Sequence, residues 1–455
     1  MDQWRRIAAV LSIFAFIKDF RPSDPFVVQF LNGPWHNITT QDINQQVFPV
    51  GTYSYGAQLV VTFLITDYFR YKPLIVLSSL AGLVYWALFI WTSQLRCLQL
   101  AEVFYGTYKA ADVAFWSYIY VRVERCHYQK ITCYTKSAAM AGKFVAAVGS
   151  QALLVYGVVN FLDLNYISLA VQTCTATIAL LLPAAPRSIY FNRTSPEQRP
   201  ADQTCPDSIP QTTKVSTTLT IPERLSALQL LWFHVKSAYS NFTVLRYSIW
   251  HALASCVYYQ TVVYNQVLWR TIGEPAHDMI HWNGAVEAIT TICAAGITFS
   301  AGFIPSKTLQ TRFTLAGLVW ILFAQAGSLL VAATTSSMWI AYGAHIFFSV
   351  LYSSTSSLLS AQIAQHIFRD SFGLVFGINA AVGSLLQIVL TLAVVDGAGL
   401  FQTNIFSQFV VYSCICVAMG ALFGGFLLME LGKQWWKCLI TLVTDRKRVK
   451  LKVTI

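Results

Sequence analysis

"NRTSPEQRPADQTCPDSIPQTTKVSTTLTIPERL", residues 192–225, divides the chain. Proline, serine, threonine and charge dominate it, a composition that buries too little apolar surface to offset the entropy of ordering. On either side the composition inverts. Apolar runs, each able to cross about 30 Å of hydrocarbon as a helix, recur at about 8–30, 48–68, 73–94, 98–121, 132–157 and 162–185 before it, and at about 244–268, 283–304, 312–333, 338–362, 373–395 and 407–430 after it.

Six spans, a polar loop and six more spans form the layout of transporters built from two repeated halves, whose substrate site lies near the bilayer midplane. The expected fold is an all-α membrane protein of about twelve transmembrane helices: a six-helix bundle over 1–185, a largely disordered linker over 186–243 with a short amphipathic helix near 222–240, a second bundle over 244–430 and a basic tail over 431–455. No residue-level repeat relates the halves, so the symmetry rests on span count and loop length. The basic turns Asp67–Lys72 and Lys307–Arg312 occupy equivalent places in them.

Of the 455 residues, 55% are hydrophobic and only 11% charged, which excludes an ordinary soluble protein. The net charge of +11 raises nucleic acid as a partner, but its distribution points elsewhere. Threading the spans alternately collects most arginines and lysines on one side and leaves little beyond Arg96 and Arg270 on the other. By the positive-inside rule both termini are then cytoplasmic, and the tail "DRKRVKLK", 445–452, lies against anionic headgroups. The first run is longer than a signal-peptide core and no small-residue cleavage site follows it, so it reads as a retained anchor.

The sequon Asn37-Ile38-Thr39 falls in the first outward loop and is the expected glycosylation site; those at Asn192 and Asn241 fall on the cytoplasmic side and are expected to stay bare. The ten cysteines offer no convincing outward pair and no metal-ligand spacing, so no disulfide framework, metal or cofactor is expected. GxSxG and HExxH are absent, and the lookalike for a phosphate loop, "SAAMAGKF" at 137–144, lacks the first glycine and lies inside a span. An enzyme or ATP-driven pump is therefore disfavoured, and an ion or proton gradient is the expected energy source. A non-transporting receptor or scaffold would explain the spans but not the charges within them.

Ionisable groups in hydrocarbon cost roughly 2.5–3.5 kcal/mol each on insertion scales and mark pathways or sites. Here they are Asp24, Glu102, Lys109, Asp112, Lys143 and Glu287. Pro22 and Pro25 break the first span, and non-helical backbone at membrane depth is tolerated where it faces protein or water. Asp24 is thus expected either on a kink facing a vestibule or simply at the outer end of the helix. In the fourth span Tyr105, Lys109, Asp112 and Trp116 share one helical stripe, read as a pocket wall or as a self-neutralising Lys109–Asp112 pair. Asn283 and Glu287, four apart, share a face, with capping and ligand contact both open.

"RPSDPF" (21–26), "TDYFRYKP" (66–73), "FYGTYKAADVAFWSYIY" (104–120), "YQKITCYTKSAA" (128–139), "LNYISLA" (164–170), "WNGAVEAI" (282–289) and "LVFGIN" (374–379) together resemble the reduced-folate-carrier and thiamine-transporter family of solute carriers, over about 15–425. The resemblance implies a major-facilitator-type fold at the plasma membrane carrying a vitamin. The family's folate carriers place basic residues in the fourth, tenth and eleventh spans, where this chain has Asp112, Ser349 and Gln387. Its thiamine branch implies Asp24 and Asp112 on the charged and amine parts of the substrate, Trp86 and Phe115 on its rings, Asn283 on the pyrimidine, and Glu287 and Gln387 beside them. Three features depart from that branch: Gly51 stands where it has tryptophan, and Lys109 and Lys143 add positive charge. The expected function is uptake of thiamine or a related organic cation by alternating access, with protons or a counter-transported anion as coupling partner. Folate, held at Lys109 and Lys143, is the alternative.

Overall fold

The computed structural model describes residues 3–66, 68–122, 128–184, 227–273, 282–301, 311–367, 371–396 and 403–453. Among the described residues regular structure is entirely helical. Before the polar segment come α1 Gln3–Asp19, α2 Val27–Asn32, α3 Thr40–Asp42, α4 Phe48–Thr66, α5 Lys72–Trp91, α6 Leu95–Ala110, α7 Asp112–Arg122, α8 Tyr128–Val155 and α9 Phe161–Leu181. After it come α10 Ala227–Tyr239, α11 Phe242–Gly273, α12 Asn283–Ala301, α13 Thr311–Thr334, α14 Met338–His366, α15 Phe372–Leu390 and α16 Ile405–Val453. Each of the twelve apolar runs has its helix. Six of these are long and apolar enough to cross a membrane by length and composition alone. Helices such as α11 fall short because they carry buried polar residues, including Arg246, Gln260 and Asn265.

The linker through residue 226, with Asn192, lies outside the described residues, as do Asp67 and the turn Lys307–Gln310. The amphipathic helix expected near 222–240 is α10. The tail expected to start at 431 does not form a separate segment: α16 runs on to Val453 because no proline interrupts "KQWWKCLI". The fourth span is also not one helix. It breaks at Ala111, whose φ of −74° and ψ of −3° depart from α-helical geometry, and restarts as α7 with Asp112 in its first turn.

In the first half α1 packs on α8, α4 on α6, and α5 on α6 and α9; in the second α11 packs on α14 and α15, α12 on α14, and α13 on α14 and α16. The halves meet where α8 packs on α12 and α4 on α15. Asn37 marks one end of the bundle, the sequon end; α10 marks the other, the linker end. The largest apolar core straddles the two halves at the sequon end, joining Phe30, Phe48 and Phe89 of one to Tyr264, Leu268 and Phe409 of the other. At the linker end a small cluster ties Leu230 of α10 to Leu374 of α15 and Phe63 of α4.

The first span is bent at its prolines. Between α1 and α2 the chain makes a 3₁₀ turn, Asp24–Phe26, entered through Pro25. Backbone groups released from helical bonding there need other partners. The Ser23 N–H donates to Ser168 Oγ at 3.2 Å. Gln266 on α11 serves two more, its Nε2 donating to the Asp24 carbonyl at 2.7 Å and its Oε1 accepting from the Val28 N–H at 3.2 Å. Asn283 Nδ2 donates to the Pro25 carbonyl at 2.9 Å. Gln266 and Asn283 thereby tie the second half to the backbone of the bend, while Ser168 and the Tyr108 hydroxyl, which donates to the Lys18 carbonyl at 3.1 Å, serve it from the first.

Candidate functional site

The bend opens a polar cavity of about 30 Å³ lined by Asp19, Arg21, Asp24 and Pro25 from the kinked segment, Lys143 from α8 and Glu287 from α12. That is room for roughly two waters, so a vitamin-sized ligand requires the halves to part. It stands on the seam between the halves. The larger groove, about 440 Å³, lies between α8 and α12, is lined by apolar side chains such as Val148 and Ile289, and holds none of the charged groups.

Two ion pairs frame the site. The Arg21 guanidinium is held by Asp24 at 2.8 Å and by Asp19 at 3.5 Å. Lys18 on α1 pairs with Asp112 on α7, and its ammonium also lies over the Tyr108 ring at 5.0 Å. Asp112 is therefore neutralised from another span. The Lys109–Asp112 pair anticipated within the fourth span does not form, because the break at Ala111 restarts the helix between them. Lys109 instead stands over the rings of Tyr105 at 5.7 Å and Tyr108 at 5.9 Å. In both pairs the base is sunk and the acid is accessible: the Arg21 and Lys18 side chains are 4% and 7% exposed, those of Asp24 and Asp112 37% and 33%.

The remaining candidates divide between cavity and wall. Lys143 and Glu287 line the cavity. Trp86 is buried behind it, its Nε1 donating to Ser23 Oγ at 3.3 Å and its ring edge-on to Tyr108. Phe115 is buried against Phe14, centroids 4.9 Å apart. Asn283 is 1% exposed with both ends of its amide engaged, the Oδ1 accepting from the Tyr342 hydroxyl at 2.9 Å. Gln387 is buried in α15 and is not among the residues lining the cavity. Gly51 packs under Glu102: a Cβ there would overlap the carboxylate. Asn37 is exposed on a turn with φ 53°, while Asn241 Oδ1 caps α11 by accepting from the Thr243 N–H at 2.9 Å.

Lys18 and Asp19 were not singled out by sequence reasoning, although "KDFRPSD", 18–24, alternates bases and acids around the prolines. That alternation was the available signal. Gln266 gave none, because an amide in a long helix is compatible with any face.

Residues 2–411 match the family model described as Reduced folate carrier. The chain belongs to the reduced folate carrier family. Human thiamine transporter 1 is 32% identical to this carrier over 92% of its chain and 89% of the relative's. Folate transporter 1 of Caenorhabditis elegans is 31% identical over 94% and 93%, and the human reduced folate transporter 30% over 93% and 73%. Among solved structures, the POT family transporter PepTSo superposes with a TM-score of 0.62 at 13% identity, covering 94% of this chain and 99% of that one. A D-xylose-proton symporter superposes with a TM-score of 0.60 at 10% identity, covering 92% and 96%. These likenesses give the fold, the major-facilitator architecture. Family and fold together make the carrier a multi-pass membrane transporter and not an enzyme.

Proposed function

We propose that the carrier takes up thiamine, or a related organic cation bearing an aminated nitrogen heterocycle, across the plasma membrane by alternating access of its two halves. The observation that carries this reading is the asymmetry of the two ion pairs. A ligand entering along the seam meets the accessible carboxylates of Asp24 and Asp112, while Arg21 and Lys18 lie behind them. Such carboxylates keep lone pairs free for N–H donors and are attractive to a cation. Lys109, stacked on two tyrosines, is turned toward aromatic faces and not toward a substrate anion. Glu287 adds a third acid from the second half. Relatives named as thiamine transporters match slightly better than the human reduced folate transporter.

The basic loops put both termini in the cytoplasm, so Asn37 faces outward and carries a glycan; loss of a mobility shift in Asn37→Gln tests that orientation. A folate reading is supported by one observation, Lys143 in the cavity wall with no carboxylate at ion-pair distance among the described residues. The deciding experiment is uptake of labelled thiamine and labelled folate, side by side, in cells lacking their own carriers. Thiamine uptake that falls in Asp24→Asn and Asp112→Asn, counted per carrier at the cell surface, supports the proposal; uptake of folate alone overturns it.

A further inference from the structure

The groove between α8 and α12 differs in chemistry from the charged cavity beside it. Lys143 and Glu287 line the cavity, whereas the groove side of the same two helices presents Val148, Val155 and Tyr156 from α8 and Trp282, Ile289 and Ile292 from the start of α12. The floor between them is tight. Gln151 Oε1 accepts from the Gly284 and Ala285 N–H groups at 3.0 and 3.2 Å, and a methyl group at Gly284 would stand 2.8 Å from the Ala147 carbonyl. Above that contact the small side chains of Ala152 and Ala285 keep the walls apart and leave about 440 Å³, the volume of a small-molecule site.

The lining selects its occupant. The groove runs along the sequon-side part of the apolar segments Tyr134–Val155 and Asn283–Ile297, so a molecule reaches it from the bilayer. No charged residue lines it, and its one amide, Gln151, is engaged at the floor. A phosphate or ammonium headgroup therefore finds no partner there. At the sequon-end mouth stand Tyr156, 82% exposed, and Trp282, which packs on Trp339 with centroids 6.4 Å apart. Such rings, each with one polar tip, suit the level where hydrocarbon meets water. The matching ligand has an apolar body and one neutral polar end. A flexible acyl chain gives up rotamer freedom when held in a fixed groove, whereas a fused ring system has almost none to give.

We infer that the groove is a binding site for a sterol-type lipid of the sequon-side leaflet, with its rigid rings between α8 and α12 and its hydroxyl level with Tyr156 and Trp282. Since α8 belongs to the first half and α12 to the second, the bound sterol bridges the halves across the seam that Gln151 closes. It binds this closed arrangement and stabilises it by mass action. The site is separate from the vitamin site and independent of which vitamin is carried.

Photolabelling of the full chain in cell membranes tests the site. A cholesterol analogue carrying a diazirine is expected to label peptides within 144–156 and 282–292 saturably, and unlabelled cholesterol to displace it. Ala285→Phe, which fills the groove, is expected to cut that labelling about tenfold. Ala152→Phe does the same from the facing helix, so one variant suffices where the other fails to reach the membrane. Labelling that rises without saturation, spreads evenly onto α13, yields to phosphatidylcholine and not to cholesterol, or persists in the filled variants overturns the inference. Bridging has its own readout. Cholesterol added to the purified carrier in phosphatidylcholine nanodiscs is expected to raise the thermal midpoint of the wild type and to leave that of the filled variant unchanged. No shift in the wild type, or equal shifts in both, overturns it whether or not either vitamin is transported.

Discussion

The Asn283 side-chain amide donates to the Pro25 carbonyl at 2.9 Å, joining the start of α12 to the kink of the first span. Its Oδ1 accepts from Tyr342, so the amide is a latch with both ends engaged. The Pro25 carbonyl lies in the 3₁₀ turn Asp24–Phe26 between α1 and α2. The latch holds the halves closed at the sequon end, beside the cavity and not within it.

Asn283→Ala leaves a buried carbonyl and a buried hydroxyl without partners, a loss of about 1–3 kcal/mol for each group left unsatisfied. The Pro25 bond crosses the halves and is lost only from the closed state, whereas the Tyr342 bond lies within the second half and is lost from both states. Val28, fully buried beneath the latch, reports on it: Val28→Cys is expected to resist an impermeant maleimide in the parent and to react in the Asn283→Ala background. Equal reactivity in both would assign Asn283 elsewhere.

Asp112 has two tasks that mutation can separate. Removing its charge alone strands Lys18, whose side chain is 7% exposed, and an unpaired buried charge is destabilising. Asp112→Asn is therefore expected to lower the amount of protein at the surface. Lys18→Met with Asp112→Asn removes both charges and should restore surface protein while uptake stays lost. Recovery of uptake in the double variant would make Asp112 a structural residue only.

Much of this architecture is legible in the sequence because its causes are local. Twelve apolar runs need only length and hydropathy, and the bend at 22–25 needs only two prolines. Partners across the bundle are another matter. Lys18 and Asp112 are 94 residues apart, and their pairing follows from where α1 and the restarted α7 meet in space. Trp86 and Phe115 show the same limit from another side. An aromatic ring on a membrane helix serves equally as pocket wall or as packing; the bond from Trp86 to Ser23 and the contact of Phe115 with Phe14 put both in the packing behind the cavity, and neither lines it. The break at Ala111 has no glycine or proline to announce it, so the stripe drawn through Lys109 and Asp112 assumed a continuity that tertiary packing removes.

Gly51 and Glu102 form a size-matched pair across α4 and α6. A methyl group at 51 overlaps the carboxylate, and overpacking of this kind costs about 1–3 kcal/mol. Gly51→Ala is expected to lower the thermal midpoint of the purified carrier, and Gly51→Ala with Glu102→Ala to recover most of it, since the second change vacates the space the first fills. Additive losses in the double variant would show that the two residues do not meet.

Lys143 separates the two substrate readings by sign. It lines the cavity with Asp24 and Glu287, and its charge is long-range enough to act on a ligand beside them. For a cationic vitamin that charge is a repulsion partly offset by the surrounding acids. Lys143→Met, which keeps the length and apolar stem, is then expected to lower the half-saturating concentration of thiamine by about three- to tenfold, the effect of roughly 0.7–1.4 kcal/mol. For an anionic vitamin the same change removes an attraction and raises the half-saturating concentration by a comparable factor. Asp24→Asn should shift each value in the opposite direction, provided that the carboxylate acts on the ligand by charge. Parallel shifts in both variants would mean that neither residue acts on the substrate by charge and that the ion pairs serve the scaffold.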